Sequence, residues 1–167
     1  MKTYRSAPMD KLTFWVTISV FALLAFFIAL ALVMRQGFVL WIPVVLMALI
    51  TGFSWQMRVR RYEVREDSIR IVRGWPLRTI TIPLAEVCDV RRYDTSPAHG
   101  PTLRLMGVGG MFSSSGVFWN KETGEFFATV TNMGRAVFIQ ANEKYLISPD
   151  APEGFIADVR EVARLAK

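Results

Sequence analysis

Hydrophobic and polar positions divide the chain sharply into two parts. From Leu12 to Met57 it is almost wholly apolar, with one break at Arg35-Gln36-Gly37. The polar side chains of Leu12–Met34 are Thr13, Thr17 and Ser19, those of Phe38–Met57 are Thr51, Ser54 and Gln56, and neither run carries a charge. Runs of about 20 residues can cross a hydrocarbon core of about 30 Å, and in lipid they must satisfy their own backbone as helices. The short break between them predicts an antiparallel transmembrane hairpin, 12–34 and 38–57, after a tail at 1–11. Ala22, Ala25 and Ala29 on the first run and Ala48 and Gly52 on the second are expected to let the two backbones approach. A competing reading makes 1–31 a signal peptide cleaved after Ala29-Leu30-Ala31. The length of the apolar run and the second run close behind it argue against that reading.

After Arg60 the period changes from helical to two. Tyr62 and Val64, then Ile69 and Ile71, alternate with polar neighbours around a Glu66-Asp67 turn, which predicts a β-hairpin with one buried face. Leu77–Leu84, Val87–Tyr93, Phe126–Thr131, Ala136–Ala141 and Lys144–Ser148 supply further strands, and Asp94–Thr102 reads as a loop. The chain closes with a helix. Asp150 is its cap, Pro152 lies in the first turn, and Glu153 follows at box spacing. Phe155, Ile156, Val159, Val162 and Ala163 make its apolar stripe. The expectation is about seven short antiparallel strands and one C-terminal amphipathic helix in a single domain, 58–167.

The formal charge of +6 matters only once it is located. Residues 58–167 hold 16 Lys and Arg against 13 Asp and Glu, so half of the excess lies in the short apolar-flanking segments. Lys2, Arg5 and Lys11 precede the first run and Arg58, Arg60, Arg61 and Arg65 follow the second, whereas the turn between them has Arg35 alone. The positive-inside bias then places both termini in the cytoplasm, with Trp15, Trp41 and Trp55 as interfacial anchors. Basic residues beside a bilayer can meet anionic headgroups, which marks Arg58, Arg60, Arg61 and Arg65 as candidate contacts. No nucleic-acid reader motif accompanies the charge.

Candidate chemistry is sparse. Cys88 and His99 are each the only residue of their kind, too few for an ordinary zinc site or a nucleophilic triad. No cofactor and no enzymatic activity are expected. The stretch Leu103–Asn120 contains Gly107, Gly109, Gly110 and Gly116, but Phe112 stands where a third phosphate-loop glycine belongs. Glycines between β-like pieces more often mark bends or close approaches. Whether Gly107–Gly116 binds a ligand stays open at this point. Phe112, Phe118 and Trp119 add apolar bulk and are candidates for a partner surface.

Three segments together resemble the bacterial pleckstrin homology (PH)-like family. They are Arg61-Tyr62-Glu63-Val64 with Ser68-Ile69-Arg70-Ile71, then Ile80–Val87, and finally Tyr145–Ile156 at the passage from strand to helix; the glycine-rich middle with Gly107, Gly110 and Gly116 is similar too. The resemblance covers roughly residues 60–160, and such domains also occur behind a two-helix anchor. It implies an antiparallel β-barrel of about seven strands closed by the C-terminal helix, and brings no catalytic residues. A membrane-tethered module binding a protein partner or anionic lipid is therefore the leading expectation. The alternative is an accessory or assembly subunit of a larger integral membrane complex.

Overall fold

The computed structural model describes residues 1–34, 38–74, 79–94, 102–108 and 111–165. His99, Arg35, Gly109 and Gly110, which entered the sequence reading, lie outside the described residues. The chain forms an N-terminal pair of helices, a β-sheet domain and a C-terminal helix, an α+β arrangement. Helix α1 spans Lys11–Met34, and α2 spans Trp41–Met57 after a short helical turn at Phe38–Leu40. By length and composition α1 can cross a membrane, whereas α2, with 17 residues, is shorter.

The two helices pack along a seam of three- and four-residue spacing. Thr17 and Ala31 are the buried residues of α1, with Thr13, Val20, Leu24 and Phe27 half-buried on the same stripe. Val44, Thr51 and Ser54 are their counterparts on α2. Such spacing is the signature of ridges meeting grooves between nearly antiparallel helices. The small residues expected at this contact are elsewhere. Ala22, Ala25, Ala48 and Gly52 face outward, and a Cβ added at Gly52 would meet nothing within 4 Å.

The first residues are not a free tail. Lys2–Arg5 form strand β1, which pairs antiparallel with β2 (Val59–Val64), from Lys2 opposite Val64 to Arg5 opposite Arg61. The helix pair is thus an insertion between two neighbouring strands. Strands β3 (Ser68–Arg73) and β4 (Ile80–Pro83) complete the sheet β1-β2-β3-β4. The second sheet contains β5 (Asp89–Arg92), β6 (Leu103–Val108), β7 (Ser114–Asn120), β8 (Gly124–Val130), β9 (Val137–Gln140) and β10 (Lys144–Ile147). Its order is β5-β9-β10-β8-β7-β6, with β8 and β10 parallel.

Among the described residues ten strands replace the expected seven, because β1 precedes the helices and the glycine-rich stretch is itself the hairpin β6–β7. The expected closed barrel is not formed either. Among the described residues, the strand ladders of the two sheets meet only at the isolated bridge between Ser6 and Pro149. That seam is held by short polar contacts. The Ala7 amide donates to the Ser148 carbonyl at 2.9 Å, and the Thr131 hydroxyl donates to the Ala7 carbonyl at 2.7 Å. Asp10 then caps α1, accepting from the Thr13 amide at 2.7 Å.

The main core lies between the sheets and under α3 (Pro152–Leu165). It holds Tyr62, Ile69, Ile71, Ile82, Ile139 and Ile147 from the strands, with Phe155 and Val159 from the helix. Tyr62 is fully buried, which pushes its hydroxyl up to about 12; its oxygen accepts from the Ser148 amide at 3.2 Å. A second cluster, Phe118, Phe126, Ala128, Phe138 and Leu146, fills the opposite face of the six-stranded sheet. At the start of α3, Asp150 caps the adjacent Ala151 amide at 3.0 Å. Glu153 reaches instead to Arg92, so the expected reciprocal box is not made.

Candidate functional site

The insertion of the helices between β1 and β2 brings together arginines from both sides of the apolar block. Arg5 closes β1, Arg58 follows the last turn of α2, and Arg60 and Arg61 open β2. With Thr3, Ser6, Trp55 and Val59 they line one groove of about 480 Å³ beside the end of α2. The antiparallel register sets Arg5 directly opposite Arg61. Like charges so placed repel, and burial of an anion between them would relieve the repulsion.

The arginines differ in what holds them. Arg61 donates from Nε to Glu63 Oε1 at 2.7 Å, and Arg65 donates from Nη2 to Glu63 Oε2 at 3.1 Å. Hydrogen bonding to Arg61 first, then to Arg65, draws the buried Glu63 carboxyl below its usual range, against the opposing effect of burial. Arg65 is turned to this carboxylate and does not line the groove. Arg58 lies over the Trp55 ring, 5.6 Å from its centroid. Among the described residues no carboxylate pairs with Arg5, Arg58 or Arg60. The groove therefore offers three guanidinium groups without a carboxylate partner among the described residues and a fourth shared with Glu63, which suits a phosphate or carboxylate ligand.

Residues 60–163 match the bacterial PH domain family. The chain belongs to that family. No curated protein and no solved structure matches it. The matched region runs from β2 into α3, so β1 and the helix pair lie outside it. A bacterial PH domain is a protein- or lipid-binding module in outline, and here its first matched strand carries two of the groove arginines.

Phe112 and Phe118, expected on a partner surface, are buried within the chain itself. Phe112 packs edge-on against Trp55 at 5.0 Å and Phe21 at 6.2 Å, and its amide donates to the Thr17 hydroxyl at 3.3 Å. It fastens the β6–β7 tip to the helix pair. Phe118 stacks on Phe126 at 6.0 Å in the second cluster. Trp119 remains exposed. The glycines of this hairpin have a structural cause. Gly107 and Gly116 face each other across the strands with φ of 140° and 153°, and a Cβ on either would strike the opposite backbone. Among the described residues no group of His, Cys, Asp or Glu is placed to hold a metal ion.

Arg5 was missing from the sequence-derived set. Its signal lay in the register of a four-residue strand some fifty positions before its partner, which charge counting along the chain does not reveal.

Proposed function

We propose that this protein is a non-catalytic, membrane-tethered PH module of the bacterial inner membrane, whose basic groove receives anionic phospholipid headgroups at the cytoplasmic face. In this reading α1 and α2, the latter extended by the turn at Phe38–Leu40, both cross the bilayer and both termini are cytoplasmic. Two features support it. The flanking Lys and Arg residues follow the positive-inside bias, and β1 and β2 are paired, so both ends of the helix pair leave from the same side of the domain.

The observation that carries the ligand is the convergence of Arg5, Arg58, Arg60 and Arg61 with Trp55 on one groove at the end of α2. A headgroup there exchanges like-charge repulsion for charge-assisted hydrogen bonds, and each basic residue near an anionic surface contributes about 1 kcal/mol.

Native mass spectrometry of the full chain, extracted in mild detergent, tests this. Retained phosphatidylglycerol or cardiolipin, lost in a triple Arg5→Gln, Arg58→Gln, Arg60→Gln variant while phosphatidylethanolamine retention is unchanged, is the expected result. Equal retention of anionic lipid by the variant overturns it. A second reading, a subunit of a larger membrane complex, draws on the exposed Phe14, Phe21, Phe26, Phe38 and Phe53 of the helices. Stoichiometric co-purification of integral membrane proteins would favour it.

A further inference from the structure

Outside the helix pair, exposure of large apolar side chains is concentrated in one place. Leu103 is 52% exposed, Leu105 57%, Met106 75% and Trp119 40%, and all four belong to the β6–β7 hairpin. Met1 is the other such residue among those described. The hairpin's tip is fastened to the helices through Phe112, which meets Trp55 one turn before Arg58 and so stands at the level of the basic groove.

We infer that the β6–β7 hairpin lies along the membrane surface and immerses its apolar side chains in the headgroup region. The inference rests on the membrane tether proposed above. Comparison with the β2–β3 hairpin supports it. That hairpin also starts at the helix pair, where a Cβ on Gly74 would touch Gln56, but it ends in the exposed pair Glu66-Asp67. At about 3.3 Å per residue it carries those acids roughly 20 Å from the helix ends, into water. The β6–β7 hairpin is of similar length yet stays apolar to its far end, where Leu103 pairs with Trp119. A hairpin standing upright would hold that pair in water, whereas one lying flat brings its whole length to lipid.

Depth follows from the backbone. Among the described residues β6 has no strand on its outer side, and unpaired amides and carbonyls are not tolerated in hydrocarbon. The headgroup layer supplies water and polar partners while accepting Leu, Met and Trp side chains. Arg104 fits the same depth: it is exposed, its guanidinium lies 5.3 Å from the Phe118 ring centroid, and it donates to the Ser114 hydroxyl at 2.9 Å.

The test uses the full chain with Cys88→Ser, reconstituted in liposomes of phosphatidylethanolamine and phosphatidylglycerol. An environment-sensitive fluorophore is attached at Met106→Cys, at Glu66→Cys or at Phe26→Cys, and quenched by lipids bearing a shallow or a deep nitroxide. At position 106 the shallow nitroxide is expected to remove roughly half of the emission or more, and at position 66 little. Quenching at 106 no greater than at 66, with 26 still quenched by the deep probe, overturns the inference and leaves the tether standing. No quenching at either 106 or 26 removes both. Efficient disulfide formation between copies at 106, with loss of lipid quenching, also overturns it and assigns the strand to a second copy.

Discussion

The two edges of the six-stranded sheet are finished in opposite ways. At the β5 edge the chain provides its own cover. Helix α3 lies against it, burying Phe155 and Val159 completely, and Arg160 donates to the Val90 carbonyl at 2.8 Å. At the β6 edge the described residues provide no helix, no further strand and no apolar lid. An uncovered apolar edge is a hazard for a protein in water. It costs nothing in a protein whose neighbour on that side is a membrane. One edge is closed by folding and the other, in the reading above, by location.

The largest expected effect lies at the closed edge. Phe155→Ala removes a ring that touches Tyr4 at 5.3 Å and Tyr62 at 6.3 Å, and should destabilise the domain by about 3–5 kcal/mol. Thermal unfolding in detergent measures it. A loss below about 1 kcal/mol would mean that α3 is an ornament and not the cover of this edge.

Next comes the fastening of the open edge. Phe112 has φ of 58°, a left-handed conformation that side chains disfavour. Phe112→Ala loses both aromatic contacts but keeps the strained backbone, and should cost about 2–3 kcal/mol. Phe112→Gly loses the same ring and relieves the strain, so it should be more stable than the alanine variant by about 1 kcal/mol. The usual order of alanine and glycine is thus reversed. The usual order instead, with alanine the better tolerated, would show that the strain at this residue is not felt.

A smaller effect ties β1 to α3. Asp158 accepts from Lys2 Nζ at 2.7 Å and from the Tyr4 hydroxyl. Its partial burial favours the neutral acid, but these two hydrogen bonds outweigh burial and hold the carboxyl below its ordinary range. Burial first, then the bond to Asp158, raises the Tyr4 phenol. A carboxyl whose folded pKa lies below its unfolded value, about 3.9, adds stability that is complete above that value and is lost as pH falls through the folded pKa. Asp158→Asn should therefore cost on the order of 1 kcal/mol at neutral pH and flatten the fall in stability below about pH 4. An unchanged acid limb in urea titrations at several pH values would remove Asp158 from the account.

How far the sequence foretells these edges depends on the range of the interactions involved. Helix α3 is local physics, visible in the spacing of Phe155, Val159 and Val162, and so are β2 and β3 in their alternation. Strand β1 is not: Lys-Thr-Tyr-Arg is short and polar, and it becomes a strand because β2 offers it an edge after the helix pair has folded back. The same return of the chain puts Arg5 in the groove. Phe112 was legible as bulk but not as an internal fastener, since its partners Phe21 and Trp55 lie in another part of the chain. The open barrel is likewise a matter of distant pairing, decided where Ser6 meets Pro149.

The smallest effect separates the two edges most cleanly. Leu105 is 57% exposed, whereas Ile69, of the same size, is fully buried in the main core. In detergent Ile69→Ala should cost about 2–5 kcal/mol, while Leu105→Ser should change stability by no more than about 0.5 kcal/mol. If the open edge is closed by lipid, the second substitution acquires a consequence only in a bilayer. There Leu105→Ser should weaken shallow nitroxide quenching at position 106 without lowering the unfolding temperature of the detergent-solubilised protein. A large loss of stability in detergent would mean that Leu105 is packed by the protein itself, and the contrast between the two edges would then disappear.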